Sequence, residues 1–173
     1  MSRDVLFFGV VALVLLAGQG IAPAQPSSLA ATEAEARAST PYKAADIMSL
    51  SPAKLVEILN DGDASTFAKA KACQRLAVAG DKTAVEALAS LLADPALAHY
   101  ARMALEPLPD AAADEALRNA LGKLNGDLLV GVINSIGRRK DTRALDALAK
   151  LRYDEDSSVV SAAEAALARI RSP

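Results

Sequence analysis

Large apolar residues return every three or four positions along most of this chain, the spacing of an amphipathic helix rather than a strand. From Ser51 the pattern is regular. Ser51 stands at an N-cap, Pro52 at the first helical position, and Leu55, Ile58 and Leu59 fall on one face before Asn60-Asp61-Gly62-Asp63 breaks the run. The same reading predicts seven further helices. The second covers 64–79 and is ended by Gly80. The third is capped by Asp81, with Val85, Leu88, Leu91 and Leu92 on one side. The fourth starts at Asp94-Pro95, runs through Tyr100 and Leu105, and is closed by Pro107 and Pro109. The fifth runs from Asp110 to about 124, and the turn Asn125-Gly126-Asp127 leads to a sixth over 128–137. The seventh covers 141–153, and the acidic turn Asp154-Glu155-Asp156 precedes an eighth over 157–171.

These helices are written in a repeating phrase. DKTAVEAL (81–88), DAAADEAL (110–117) and DTRALDAL (141–148) share D-x-x-A-x-x-A-L and start 29 and then 31 residues apart. An Asp at an N-cap accepts hydrogen bonds from unpaired N–H groups and complements the helix dipole. The Ala three residues on and the Ala-Leu six and seven on then share one face. A second column keeps the same phase. Ala72, Ala101, Val132 and Ala163 are each followed four residues later by Leu76, Leu105, Ile136 and Leu167. The unit is therefore helix, turn, helix over about 30 residues, with boundaries near 51–80, 81–109, 110–140 and 141–172. A lone helical pair leaves an apolar face uncovered, so the units are expected to stack on one another. The expected fold is all-α: an α–α superhelix of about four hairpins over 51–172.

The N-terminus reads differently. Arg3 and the amino group, partly offset by Asp4, precede a continuous apolar stretch from Val5 to Ala17. That is short of the about 20 residues a spanning helix needs. Ala22-Pro23-Ala24 follows, so residues 1–24 have the layout of a secretory signal peptide with cleavage after Ala24. An uncleaved anchor is the alternative. The polar stretch QPSSLAATEAEARAST (25–40) is too poor in large apolar residues to fold alone. Residues 25–50 are read as a flexible linker, with a transient helix over 30–38 and a short capping turn or helix over 42–48. An exported chain, periplasmic or secreted, is expected.

The stretches LAVAGDKTAVEALASLLADPALAHYARMALEPLPD and INSIGRRKDTRALDALAKL resemble HEAT-type repeats. They are most similar to the short bacterial variety shared with phycobilisome-lyase-like proteins. The resemblance spans roughly 51–171. It implies a HEAT-like solenoid and a protein-interaction role; the repeat is an architecture more than an activity. Iron-binding HEAT-type enzymes carry paired His-Glu motifs, and this chain has none.

Composition narrows the picture. The chain of 173 residues is 52% hydrophobic but only 3% aromatic, so its core is built from Ala, Leu and Val. A net charge of −2 argues against nucleic acid as the main partner, and one cysteine excludes an internal disulfide. His99, the only histidine, has no obvious nucleophile beside it and reads as a surface residue. Cys73 reads as a small buried apolar residue, or as a thiol activated by Lys71 and Arg75. The Asp61 and Asp154 turns start like calcium loops but lack the glycine at the sixth and the Glu at the twelfth position. No catalytic, metal or cofactor set is expected, and no small-molecule substrate. Arg138-Arg139-Lys140 with Arg143 is either a solvated turn or a contact for an acidic partner. The second helices are the expected binding face. The candidate protein-binding residues are Gln74, Arg75, Arg102, Met103, Asn134, Arg138, Arg139 and Glu164. The function read from the sequence is a non-enzymatic exported scaffold that binds another protein. The alternatives are an accessory subunit or domain of an exported oxidoreductase or hydrolase, or a bilin-lyase-like activity.

Overall fold

The computed structural model describes residues 42–172. The expected signal peptide (1–24), and the linker as far as residue 41 with its helix over 30–38, lie outside the described residues. Within them the protein is all-helical, with nine α-helices and no strand. They are α1 (Ala44–Ser49), α2 (Pro52–Asn60), α3 (Thr66–Ala79), α4 (Val85–Ser90), α5 (Ala98–Leu105), α6 (Ala111–Ala120), α7 (Gly126–Arg139), α8 (Leu145–Leu151) and α9 (Ser157–Arg171). No described helix is long and apolar enough to cross a membrane.

The caps explain the boundaries. The carboxylates of Asp81, Asp110 and Asp141 each accept a hydrogen bond from the backbone N–H two residues on, at 2.8, 2.8 and 3.0 Å. Asp110 caps α6 directly. Asp81 and Asp141 instead cap tight 3-10 turns, Lys82–Ala84 and Thr142–Ala144, which lead into α4 and α8. The third and seventh expected helices are thus shorter than their periodicity implied, and α4 closes in another such turn, Leu91–Ala93. Ser65 accepts from the Ala68 N–H at 3.2 Å, which starts α3 at Thr66 rather than Ala64. Asp94 holds the N–H of Ala96 at 2.8 Å, and the turn it makes delays α5 to Ala98. α6 ends at Ala120, four residues before the expected 124, where Leu121 N–H closes on the Arg118 carbonyl.

Two glycines depart from their expected roles. Gly126, read as part of a turn, is the first residue of α7 and takes φ +51° there. Gly137, read as the end of the sixth helix, lies inside α7. A Cβ on it would sit 3.0 Å from both Cα and Cβ of Ala166 on α9, so its missing side chain permits a close helix crossing. α7 ends two residues later, where Lys140 turns left-handed at φ 54°.

The repeated columns form the core. Ala72, Ala101, Val132 and Ala163 are fully buried, and so are Leu76, Leu105 and Ile136, with Leu167 at 4% exposure. Ala84, Ala113 and Ala144 are buried with Leu88, Leu117 and Leu148. A fully buried leucine contributes about 1.5–3 kcal/mol. The Ala six residues after each Asp does not behave uniformly. Ala87 is buried, Ala116 half-buried and Ala147 exposed. Ala87 lines a hollow with α2 and Ala116 one with α4, so the position faces the preceding first helix, and α8 does not pack substantially on α6.

Packing is local in sequence order. The pairs α2–α3, α4–α5, α6–α7 and α8–α9 pack as hairpins. The second helices pack in series, α3 on α5, α5 on α7 and α7 on α9, with α1 added against α3. The first helices pack α2 on α4 and α4 on α6. Substantial contacts between these helices stay within one hairpin or between successive ones.

Candidate interaction surface

On the second helices, positions four residues apart share a face. Gln74 and Val78 on α3 continue as His99, Met103 and Pro107 along and just past α5. They are followed by Val130, Asn134 and Arg138 on α7, and by Ser161, Ala165 and Arg169 on α9. All of these are half-buried or exposed. Val78 is the extreme case, a valine 79% exposed. Gln74, Met103, Asn134 and Arg138 from the expected set therefore lie on a common outward stripe. Val78, Val130 and Arg169 belong to the same stripe and were missed, although continuing the i, i+4 spacing from the chosen residues reaches each of them.

The other expected residues are engaged elsewhere. Arg139 is not a surface cation. Its guanidinium is pulled under the Pro107–Pro109 turn, where Nη1 donates to the carbonyls of Leu105, Glu106 and Leu108 at 2.8, 2.8 and 2.7 Å. Nη2 reaches the Asp110 carbonyl at 3.2 Å and Nε pairs with Asp114. One side chain thus closes the end of α5, the connecting turn and the start of α6, which is a structural task that removes it from any partner. Arg102 lies across the seam between α5 and α7. It donates to the Gly131 carbonyl at 3.1 Å, and a Cβ at Gly131 would stand 2.5 Å from its guanidinium carbon. Burial lowers its pKa, Glu106 opposes that and Arg138 adds to it. Arg75 is half-buried with its Nε out of solvent and no hydrogen-bond partner. Glu164 sits at the outer edge of α9 beside Arg152, 3.4 Å away, and lines a shallow hollow of 270 Å³ with Leu167 and Arg171.

Arg138 is exposed and paired with Glu106 at 2.9 Å. Glu106 Oε1 also accepts from the buried Ser135 hydroxyl at 2.7 Å. The Glu106 carboxylate thus ties the exposed Arg138 to the buried Ser135. Lys140 donates to the Ser172 carbonyl at 3.1 Å, and Arg143 is exposed in the cap turn. Asp141 is itself buried and paired with Arg118 of α6. The basic run is therefore divided: Arg139 serves the fold, and Arg138 serves the surface.

A hollow also opens on the other layer. Between α4 and α6 runs an open groove of 430 Å³ with Val85, Ala89, Leu92 and Ala116 along its floor. Lys82, Glu86, Glu115 and Lys123 line its rim. A smaller groove of 300 Å³ between α2 and α4 shares Glu86. None of the eight expected residues lines either groove. Short, alanine-rich first helices pack without filling the furrow between them, and that geometry is invisible to a pattern of apolar spacing.

Cys73 is fully buried, and burial pushes its thiol up to about 12. That favours the apolar reading over the activated one, since a reactive thiol needs its pKa lowered. His99 is exposed and meets Tyr100 edge-on at 5.5 Å. Among the described residues no group of three His, Cys, Asp or Glu side chains is placed to hold a metal ion.

The chain matches no protein-family model and no curated protein sequence.

Proposed function

We propose that the four hairpins are a short HEAT-like solenoid and that the protein is a non-enzymatic scaffold, exported through its N-terminal apolar segment, that binds another protein. The observation carrying this reading is the order of contacts. Each hairpin packs chiefly on its sequence neighbours, so both layers of helices keep an outer face that no other described element covers. A repeat stack of this kind offers extended surface in proportion to its length. The buried, weakly acidic Cys73 thiol favours a packing role over nucleophilic chemistry at that residue.

The test places a photo-crosslinking residue at Met103, on the second-helix stripe, and separately at Ala116, in the first-helix groove. Each full chain is expressed in an envelope-bearing cell. Capture of one defined protein from either position supports the scaffold; capture of none from both removes it. N-terminal sequencing of the exported chain is expected to begin at Gln25.

A further inference from the structure

Charge is sorted between the two layers. α3 carries Lys69, Lys71 and Arg75 and no acid. α5 carries Arg102 and no acid, and α7 and α9 each hold one acid against two arginines. The first helices show no such excess. α2 and α8 each balance one acid with one lysine, α4 carries Glu86 alone, and α6 holds two acids and Arg118. Of the remaining described acids Asp46 lies in α1, and the others stand in turns, where several serve as caps. The outward stripe itself contains no carboxylate. Its charges are Arg138 and Arg169, its apolar members include Val78, Met103 and Val130, and Lys71 lies beside it, one turn before Gln74 and Arg75. Glu106, beside Pro107 of the stripe, pairs with Arg138 and accepts from Ser135, while Arg102 donates to the Gly131 carbonyl. Helix dipoles account for Arg138 and Arg169, which stand near C-termini. They do not account for Lys69 and Lys71 in the first half of α3.

We infer that the outward stripe of the second helices is the docking surface for an acidic polypeptide segment, its carboxylates meeting Lys71, Arg138 and Arg169 while its apolar residues cover Val78, Met103 and Val130. This rests on the scaffold reading for the existence of a partner and adds that partner's chemistry. Complementary potential guides encounter and specificity more than it adds affinity, so the binding is salt-sensitive.

The probe is a synthetic peptide of alternating Glu and Ala, titrated into the full chain. Affinity is expected to fall as the Debye length shrinks from about 30 Å at 0.01 M to about 3 Å at 1 M ionic strength. The combined variant Lys71→Gln, Arg138→Gln and Arg169→Gln is expected to bind about tenfold more weakly, as the loss of three exposed ion pairs implies. The matched variant Lys54→Gln, Lys82→Gln and Lys123→Gln, with the same net charge, is expected to keep wild-type affinity. On the wild-type protein, carbodiimide coupling of the peptide is expected at Lys71 and not at Lys82 or Lys123. Equal weakening by both variants, or coupling across both layers, overturns the assignment. So does binding to phosphatidylglycerol vesicles without binding to the peptide, or self-association with the stripe buried between two copies. No binding to the peptide, with a protein still captured from Ala116, sinks the acidic-partner inference and leaves the scaffold reading standing.

Discussion

Arg139 shows how much one side chain can decide. Its guanidinium satisfies four backbone carbonyls and the Asp114 carboxylate at a turn that contains two prolines and so offers few N–H donors of its own. Removing one partner of such a buried set leaves the others unpaired. Arg139→Ala is expected to destabilise by about 3–5 kcal/mol in urea unfolding. Arg139→Lys is expected to recover only part of that, because an ammonium cannot reproduce the planar fork. A loss no larger than that of the exposed Arg143→Ala would show the network to be unimportant. Asp81 gives the pH-dependent counterpart. The hydrogen bonds from the Thr83 hydroxyl and N–H hold its carboxyl below the usual value. The folded state therefore binds this proton more weakly than the unfolded one. The stabilisation is fully present above the ordinary carboxylate pKa of about 3.9 and is lost as pH falls through the lower folded value. The gap in melting temperature between wild type and Asp81→Ala is expected at neutral pH and to close below that range. A gap unchanged in acid would mean that the charge contributes nothing.

At the scale of elements, the α7–α9 crossing depends on small residues. Gly137 meets the backbone of Ala166, whereas a Cβ at Gly131 would meet only the end of the Arg102 side chain. The two glycines of one helix should therefore respond differently. Gly137→Val has no room and is expected to cost about 1–3 kcal/mol by overpacking. Gly131→Ala displaces a flexible group and gains up to about 1 kcal/mol of helix propensity, so its net effect is expected to be small. Thermal melts of both variants measure the difference; equal losses would mean that the close crossing does not constrain the packing. The same crossing explains a misplaced boundary. A glycine near the end of an apolar run reads as a stop, but here the helix passes through it, because what Gly137 supplies is space rather than a left-handed turn. Lys140 supplies that turn instead.

At the scale of the molecule, hairpins that pack mainly on their neighbours should transmit damage over short distances. Leu55→Ala in α2 empties a fully buried site and is expected to cost about 2–5 kcal/mol. Under the stacked-repeat reading, native-state hydrogen exchange should show protection falling most in α2 and α3 and least in α9. A uniform loss from α2 to α9 would mark a single cooperative bundle and count against a solenoid. The molecule also separates its two outer faces, the uncovered furrow between α4 and α6 and the carboxylate-free stripe on the second helices.

Much of this was present in the order of residues. The helices, their second-helix columns from Ala72 to Leu167, and the capping aspartates follow from period and local hydrogen bonding, both of which act within a few residues and so are written locally. The stripe residues Gln74, Met103, Asn134 and Arg138 were legible for the same reason. Which arginine stays in water was not. Arg138 and Arg139 are adjacent and chemically identical, and only the approach of a turn more than thirty residues away pulls one inward and leaves the other out. The groove between α4 and α6, the spacing role of Gly137 and the sorting of charge between layers belong to the same class. Each depends on how far apart two helices settle and on which side they face. Those distances are set by packing between segments remote in the chain, and no window of neighbouring residues records them.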